Sequence, residues 1–475
     1  MPASMDKVKE TSKKDLRVRL SDIKIGENGL FPKERLRGLI LPLILEQTLA
    51  VTIGMADTVM VSVAGEAAIS GVSLVDQINI LIISVFSALT TGGAVVSAQY
   101  MGRDDKKSAS LAAKQLLWLC TLITVFITAV CLIFNNRILD FIYGAVEKDV
   151  MSSAEIYFYI TALSYPTIGI YNSCAALFRS MGNSKITLVI YFLMNLINIG
   201  GNAIFIYGFS MGAAGAAWAT LISRIIGASI ILILICSQRR VGEGEFRIER
   251  LLSPEPNPGM IKSILAVGLP NGAEGGMFQV GKLLVANLIT SFGTAAIAAN
   301  AVSNTLCGFA IIPGAALGLA LVTVVGQCVG AGDYRQATGY TFKIMGYIYL
   351  FGGITNLFLF LVGPVLLRFF NISAEAYEMS VEIIRLYATL AAVFWPLSFS
   401  LPNALRATGD ARMTMIISIF SMWIFRIGFS YLLCVFFDFG LNGVWYAMYI
   451  DWIFRGSFFV LRFLSGRWKT KRVIK

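Results

Sequence analysis

Long apolar runs alternate with short polar segments along most of the chain. Leu116–Phe134, Ile222–Cys236 and Tyr347–Leu367 each approach the ~20 residues that cross ~30 Å of hydrocarbon as a helix. The pattern predicts twelve membrane-spanning helices, at about 39–62, 68–97, 115–134, 156–178, 186–206, 214–236, 264–290, 296–325, 344–366, 383–405, 413–436 and 443–464. We therefore predict an all-α integral membrane protein.

One stretch of the chain occurs twice. An ungapped shift of 228 positions places Pro42–Asp105 on Pro270–Asp333, and Gly65-Glu-Ala-Ala-Ile69 falls on Gly293-Thr-Ala-Ala-Ile297. A repeat of this length predicts two six-helix bundles. Because each half has an even number of spans, both have the same orientation. A pseudo-twofold axis along the membrane normal should then relate them.

Polar segments divide the chain into five parts: a basic tail (1–38), an N-terminal bundle (39–236), a charged linker (237–262), a C-terminal bundle (263–466) and a second basic tail (467–475). Lysine and arginine concentrate in both tails and in alternate loops. The positive-inside rule then places both termini in the cytoplasm. We expect a multi-pass protein of the plasma (inner) membrane, and a monomer.

Composition limits the chemistry. Hydrophobic residues make up 56% of the chain and charged residues 14%, with a mean hydropathy of +0.73, whereas soluble domains carry roughly 25% charged residues. The net charge of +11 lies mainly in loops and tails, which favours contact with anionic lipid over nucleic acid. There is no histidine, and the seven cysteines form no CxxC pair. Nucleotide-binding and hydrolase motifs are missing, so we expect neither an enzyme nor any cofactor beyond a coupling ion.

Ionisable side chains inside the predicted spans are candidates for function, because each costs at least ~2.5 kcal/mol at the bilayer centre. They are Glu46, Asp57, Asp76, Arg224, Glu274, Lys282, Arg426, Asp451 and Arg455. Arg426 and Asp451, on adjacent spans, are predicted to form a structural ion pair. Arg224 and Arg455 are predicted to reach toward the cytoplasmic ends of their helices.

Asp57 is the strongest of these candidates. It follows Glu46 by eleven residues, or three helical turns, so both carboxylates should share a helix face. Amide and hydroxyl groups of three other spans could surround it: Asn172, Asn195, Asn198, Asn202 and Thr220. Such oxygen ligands suit a small hard cation. Alternatively the carboxylate takes a proton, since burial favours its neutral form, or the asparagines merely hydrogen-bond between helices.

The second half repeats this arrangement only in part. Glu274 repeats Glu46, but Val285 stands where Asp57 would recur, so the cation site is predicted for the first half alone. Side chains that we expect to line a substrate cavity are Glu46, Asp76, Asn195, Glu274 and Lys282.

Several short motifs carry a family resemblance: Met55-Ala-Asp-Thr-Val-Met60, Gln99-Tyr-Met-Gly102, Phe178-Arg-Ser-Met-Gly182 and Leu405-Arg-Ala-Thr-Gly409. With its two parallel halves, the chain resembles the multidrug and toxic compound extrusion (MATE) family over about residues 36–465. The resemblance implies an antiporter that exports drugs or organic cations in exchange for Na⁺ or H⁺ by alternating access.

The resemblance also implies site residues. The family's first-helix aspartate falls on Asp57, its fifth-helix pair on Asn198 and Asn202, and its sixth-helix threonine on Thr220. Many relatives have a carboxylate where this chain has Asn202, so a Na⁺ site here carries one charge fewer, and the coupling ion stays open between Na⁺ and H⁺.

Two other functions remain as alternatives. A lipid-linked sugar flippase of the same superfamily is favoured by the cations Lys282, Arg426 and Arg455. An integral-membrane transferase would need a cluster of acids, bases or metal ligands at one membrane face, and the sequence shows none.

Overall fold

The computed structural model describes residues 18, 29–144, 146–237, 245–253, 255–370, 372–471 and 473–474. In these residues the chain forms α-helices joined by short loops, without a β-strand. The prediction of an all-α fold is confirmed. Much of the predicted tail 1–38 and part of the linker 237–262 lie outside the described residues.

The described residues of the first half form eight α-helices of 9 to 37 residues. We number them α1 (Lys33–Ser62), α2 (Glu66–Gly102), α3 (Lys106–Ile133), α4 (Asn135–Tyr143), α5 (Lys148–Leu163), α6 (Tyr165–Ser180), α7 (Ser184–Asn202) and α8 (Gly212–Cys236). A wider, π-type turn at Ala203–Gly208 continues α7.

Helices of the second half begin and end at partly different positions of the repeat. They are α9 (Pro258–Thr290), α10 (Thr294–Ala310), α11 (Ile312–Gly330), α12 (Tyr334–Leu367), α13 (Ala374–Trp395), α14 (Leu401–Ala407), α15 (Ala411–Ser421), α16 (Phe429–Tyr431) and α17 (Gly440–Leu464). Segments of π-helix connect some of these helices without a loop. Pro396–Ser400 joins α13 to α14, Met422–Gly428 joins α15 to α16, and Leu432–Phe436 continues α16.

Nine helices of the described chain are long and apolar enough to cross a membrane. Two predicted spans proved to be interrupted. The span predicted at 156–178 is two helices that break at Ser164, and the one at 296–325 breaks at Ile311. Each break lies two residues before a proline, Pro166 or Pro313, which lacks an amide hydrogen and cannot donate to the carbonyl four residues earlier. Proline is tolerated in the first turn of a new helix, where that hydrogen has no partner within the helix. Hydrophobic periodicity does not reveal such a break.

The repeat in the sequence reappears in local geometry. Asp105 caps the N-terminus of α3 by accepting from the amide of Ser108 over 3.0 Å. Asp333, 228 positions later, caps α12 by accepting from the amide of Gln336 over 2.9 Å. Side-chain oxygens at this position satisfy an amide that has no partner within the helix.

Glycines in the repeated motifs adopt a backbone conformation that other residues rarely reach. Gly65 and Gly293 have φ values of 102° and 91°, just before α2 and α10. Gly182 and Gly409, in the two Arg-x-x-Gly motifs, have φ values of 88° and 97°. A side chain at positive φ is strained, which explains the choice of glycine.

The chain forms two compact units. The N-terminal unit spans Arg37–Gly276, and the C-terminal unit joins Met277–Lys475 to the segment that ends at Leu36. Both boundaries fall inside helices, in α1 and α9, rather than in the linker. Phe31, just before α1, is buried in the C-terminal unit, where its amide donates to the Tyr340 hydroxyl and its carbonyl accepts from it, both over 2.9 Å.

A close helix contact lies inside the N-terminal unit. A Cβ atom on Gly92 of α2 would lie 2.4 Å from the carbonyl oxygen of Ile264 and 2.8 Å from the amide nitrogen of Gly268, both on α9. Only a residue without a side chain allows this approach.

The C-terminal segment after α17 is packed, although the sequence predicted it as a basic tail. Residues Arg467–Thr470 form one helical turn, and Trp468 within it is fully buried. Its indole nitrogen donates to the carbonyl oxygen of Phe463 over 2.9 Å, and the two rings stack with centroids 5.4 Å apart.

Candidate cation-coupling site

Asp57 lies near the C-terminal end of α1, where α7 meets it. Nδ2 of Asn202, the last residue of α7, donates to Oδ1 of Asp57 over 2.8 Å. Asn198, one helical turn earlier, faces the same carboxylate. The predicted asparagine stripe therefore brings at least two amides to Asp57.

The amide of Asn198 joins three helices. We assign its nitrogen toward Asp57, because the opposite orientation would set its oxygen against a carboxylate. It then donates to the two oxygens of Asp57 over 2.7 and 3.2 Å, and its own oxygen accepts from the hydroxyl of Thr220 on α8 over 3.2 Å. Asp57, Asn198, Asn202 and Thr220 thus form one contiguous set.

Asn202 retains an unused acceptor. The side chain is 1% exposed, and its Oδ1 finds no hydrogen-bond donor among the described residues. Since a buried polar atom without a partner costs ~1–3 kcal/mol, an amide oxygen beside a carboxylate is suited to a cation. The donor set is one carboxylate, two amides and one hydroxyl, which fits either a small hard cation or a proton.

These groups line a cavity of about 290 Å³ in the N-terminal unit. The predicted residues Asn172 and Asn195 line it as well. Asn195 is not directed at the carboxylate, because its Nδ2 donates to the carbonyl oxygen of Tyr191 in its own helix over 2.6 Å.

Asp76 of α2 provides a second carboxylate in this cavity. The amide of Asn79 and the hydroxyl of Tyr157 both donate to its Oδ1 over 3.3 Å. Tyr165 in turn donates to the Asn79 oxygen over 2.7 Å, so a chain of hydrogen bonds runs from α6 to Asp76. The sequence predicted Asp76 as a cavity residue but gave no sign of the tyrosines.

Arg224 was assigned wrongly from the sequence. Rather than reaching toward a helix end, it lines the cavity, where its Nη1 donates to Oγ of Ser164 over 2.7 Å. Across the described residues no ion pair within 4.0 Å joins it to Asp57 or Asp76. Arg224 follows Thr220 by four residues, one helical turn, and this spacing was the available signal.

Glu46 does not line this cavity, contrary to the sequence prediction. Its carboxylate pairs with Nη1 of Arg179 over 3.1 Å and accepts from the hydroxyl of Thr187 over 2.8 Å. Both charged side chains are largely buried, at 7% and 16% exposure. Glu46 thus ties α1 to α6 and α7, while Asp57 lies in the cavity.

Candidates of the second half do not line this cavity. Lys282 lines a cavity of about 560 Å³ in the C-terminal unit. Glu274, on the first part of α9, is among the lining residues of neither cavity.

The predicted ion pair between Arg426 and Asp451 is present but long, at 3.9 Å. Arg455, one turn further along α17, is the nearer partner of Asp451 at 2.6 Å. Arg455 is 2% exposed, so the prediction that it extends toward a helix end was wrong. The guanidinium also lies 4.5 Å from the ring centre of Phe399.

The MatE family profile matches residues 42–204 and 273–432, which together are more than half of the chain. The chain belongs to the MatE family. It is 29% identical over 449 residues to a Thermotoga maritima protein named "Probable multidrug resistance protein NorM", covering 93% of this chain and 94% of that one. It is also 24% identical over 442 residues to the "Uncharacterized transporter YisQ" of Bacillus subtilis, covering 90% and 94%.

Solved structures share the fold. A MOP superfamily transporter from Pyrococcus furiosus superimposes with a TM-score of 0.86 at 21% identity, covering 94% of this chain and all of that one. A MATE structure in complex with MaL6 gives a TM-score of 0.83 at 21% identity, covering 92% and 96%. This MatE chain is a multi-pass membrane transporter and not an enzyme.

Proposed function

We propose that this MatE chain is an antiporter that exports drugs or organic cations in exchange for Na⁺ or H⁺, with Asp57 as the coupling carboxylate. One observation carries the proposal. Asp57 faces a cavity and is held by two amides, Asn198 and Asn202, rather than by an arginine. Its charge is therefore free to be neutralised by an arriving cation.

The two amides suit both states of the carboxylate. While Asp57 is charged and bare, their N–H groups donate to it. Rotating an amide by half a turn presents its oxygen instead, to a bound Na⁺ or to the proton of a neutral Asp57. A second carboxylate in place of Asn202 could not donate to a charged Asp57. Binding of one cation therefore changes the net charge at Asp57 from −1 to zero.

Coupling requires that the cation binds the two conformations of the transporter with different affinity. When Asp57 is neutral, its hydrogen bond to Asn202 weakens, because bonds to charged groups are worth ~1.5–3 kcal/mol and neutral ones about 1. We propose that this loosens α1 against α7 in the N-terminal unit and favours the conformation that releases substrate outside.

The net charge of this cavity fits an organic cation as substrate. Its lining has two carboxylates, Asp57 and Asp76, and one guanidinium, Arg224. The relatives' names point to drug-like compounds. We further propose that both termini lie in the cytoplasm, that the protein resides in the plasma membrane and that it works as a monomer.

Transport in proteoliposomes tests the proposal. A fluorescent organic cation is loaded, and either a Na⁺ gradient or a proton gradient is imposed separately. We expect one gradient to drive efflux, and Asp57→Asn to abolish that dependence. Asp140→Asn, at an exposed carboxylate of α4, is the matched control. If Asp57→Asn retains full gradient-driven efflux, Asp57 does not couple transport.

The flippase alternative is favoured by Lys282 and Arg426, which line the cavity of the C-terminal unit. Its volume of about 560 Å³ lies within the ~300–1,000 Å³ of small-molecule sites. Movement of a fluorescent pyrophosphate lipid across proteoliposomes, without dye efflux, would support the alternative.

A further inference from the structure

The two cavities are built from matching positions of the repeat. Moving forward by 228 residues, Gly54 becomes Lys282, Asp57 becomes Val285 and Asp76 becomes Asn304. Each first residue lines the cavity of the N-terminal unit, and each second residue lines that of the C-terminal unit. At these three positions, the cavity of the C-terminal unit therefore lacks the two carboxylates of the N-terminal cavity and has one additional ammonium group.

The last two helices of each half continue this change. Arg426 lies 228 residues after Asn198, and both line their cavities. Thr220 becomes Met448 at the same spacing, and the position of Arg224 becomes Trp452. In the C-terminal unit the lining therefore contains two cations and no carboxylate.

Neither cation is neutralised by a carboxylate of its own. In the described residues no ion pair within 4.0 Å involves Lys282. Arg426 is 3.9 Å from Asp451, but that carboxylate already pairs with Arg455 over 2.6 Å and accepts from the hydroxyl of Ser421. One carboxylate among three cations leaves positive charge facing the cavity.

Six aromatic side chains form a large part of the wall. They are Phe278, Tyr387, Trp395, Phe399, Trp445 and Trp452. Trp445 and Trp452 are 4% and 3% exposed, yet the indole nitrogen of each lacks a hydrogen-bond acceptor among the described residues. Both of these unpaired indole groups are hydrogen-bond donors. They therefore favour an anionic ligand, as Lys282 and Arg426 do.

From this geometry we propose a second ligand site, in the C-terminal unit, that binds a small organic anion with an aromatic body. The carboxylate or sulfonate of the ligand pairs with Lys282 and Arg426, and its ring packs between the tryptophans. Arginine and lysine hydrogen-bond such anions strongly, and large flat rings fill aromatic pockets. The site is separate from Asp57 and does not rest on the proposed coupling role.

Binding of two matched probes to the purified full-length protein in detergent tests this site. Naphthalenesulfonate and naphthylmethylammonium share an aromatic body and differ in charge. Equilibrium dialysis, corrected for protein-free micelles, gives the affinity of each. We expect the anion to bind about tenfold or more tightly than the cation at the site that changes with Lys282.

Variants locate the site. Lys282→Met should weaken naphthalenesulfonate binding about tenfold or more, whereas Lys282→Arg should retain it. Lys343→Met, at a lysine of α12 outside the cavity, is the matched control, and Asp57→Asn should leave the anion affinity unchanged. Thermal unfolding checks that each variant is folded.

Three outcomes would overturn the proposal. The first is a wild-type protein that binds naphthalenesulfonate no more than protein-free micelles do, a comparison that needs no variant. The second is a folded Lys282→Met protein with unchanged anion affinity. The third is displacement of naphthalenesulfonate by micellar phosphatidylglycerol at equal concentration, which would assign the cationic wall to a lipid head group.

Discussion

Asn202 closes α7 against α1 by donating to Asp57 over 2.8 Å, from a position where its own side-chain oxygen has no donor among the described residues. The side-chain nitrogen of Asn202 thus donates to the carboxylate, while its side-chain oxygen is available as a ligand for a cation. We therefore expect a substitution of Asn202 to affect transport strongly, although its side chain carries no charge.

Replacing Asn202 with leucine should reduce gradient-driven efflux about tenfold or more, because Asp57 loses a charge-assisted hydrogen bond worth ~1.5–3 kcal/mol. Asn356→Leu is the matched control, since Asn356 of α12 is buried, lines neither cavity and donates within its own helix, so efflux should change by only about twofold. Rates are measured in proteoliposomes of equal protein content. Equal losses in both variants would argue against a special role for Asn202.

Breaking the buried pair between Glu46 and Arg179 should destabilise the N-terminal unit. Arg179→Met leaves the carboxylate of Glu46 buried, and such a loss costs ~3–5 kcal/mol. Arg247→Met, which breaks an exposed pair with Glu249, should cost ~0–1 kcal/mol. Thermal unfolding in detergent compares the two. The double variant Arg179→Met, Glu46→Leu should regain part of the loss, and if it does not, the buried charge is not the cause.

Asp105 should make stability depend on acid pH. Hydrogen bonds from Ser108 hold the pKa of Asp105 below its ordinary value of 3.8. A group whose pKa is lower in the folded state contributes stability above its unfolded pKa, and this contribution is lost as pH falls through the folded pKa. Relative to Asp105→Asn, the wild type should therefore lose thermal stability as pH falls from about 4 through the lower pKa of the folded state.

The same residue allows a test of capping at neutral pH. Asp105→Ala should cost about 1 kcal/mol, while Asp105→Asn should cost little, since asparagine also caps helices well. Asp333→Ala in the second half should behave like Asp105→Ala, because the two caps match. Different losses of stability in the two variants would mean that the two caps do not stabilise the protein equally.

Gly92→Ala should destabilise the protein by ~1–3 kcal/mol, because the new methyl group would meet the backbone of α9 at 2.4 Å. Gly200→Ala on α7 is the control: its Cβ would meet nothing within 4 Å, and alanine favours a helix by up to ~1 kcal/mol. We expect opposite shifts of the thermal midpoint. A neutral Gly92→Ala would mean that α9 moves aside at little cost.

The sequence predicted the helical architecture well because a helix that crosses the hydrocarbon core needs ~20 mostly apolar residues, and such runs are visible in the sequence. It also grouped Asp57 with Asn198, Asn202 and Thr220, since helical spacing and family resemblance agree there. These residues lie on long, regular helices, whose faces can be counted reliably.

Other features escaped the sequence because they depend on where a helix ends or what it meets. Arg224 and Arg455 were predicted to reach toward helix ends, because an apolar run does not show which buried groups a charged side chain will contact. Glu46 was assigned to the cavity because its partner, Arg179, is remote in sequence. No local pattern shows that a distant arginine will reach a given carboxylate.

Because both unit boundaries fall inside α1 and α9, the linker is not where this protein can be divided. A chain cut near residue 244 would give an N-terminal fragment without the part of α9 that ends at Gly276, and a C-terminal fragment without the segment that ends at Leu36. Each fragment would lack a segment that packs within its own unit, as Ile264 does against Gly92 and Phe31 does against Tyr340. Split versions of this transporter therefore require both fragments to be made together.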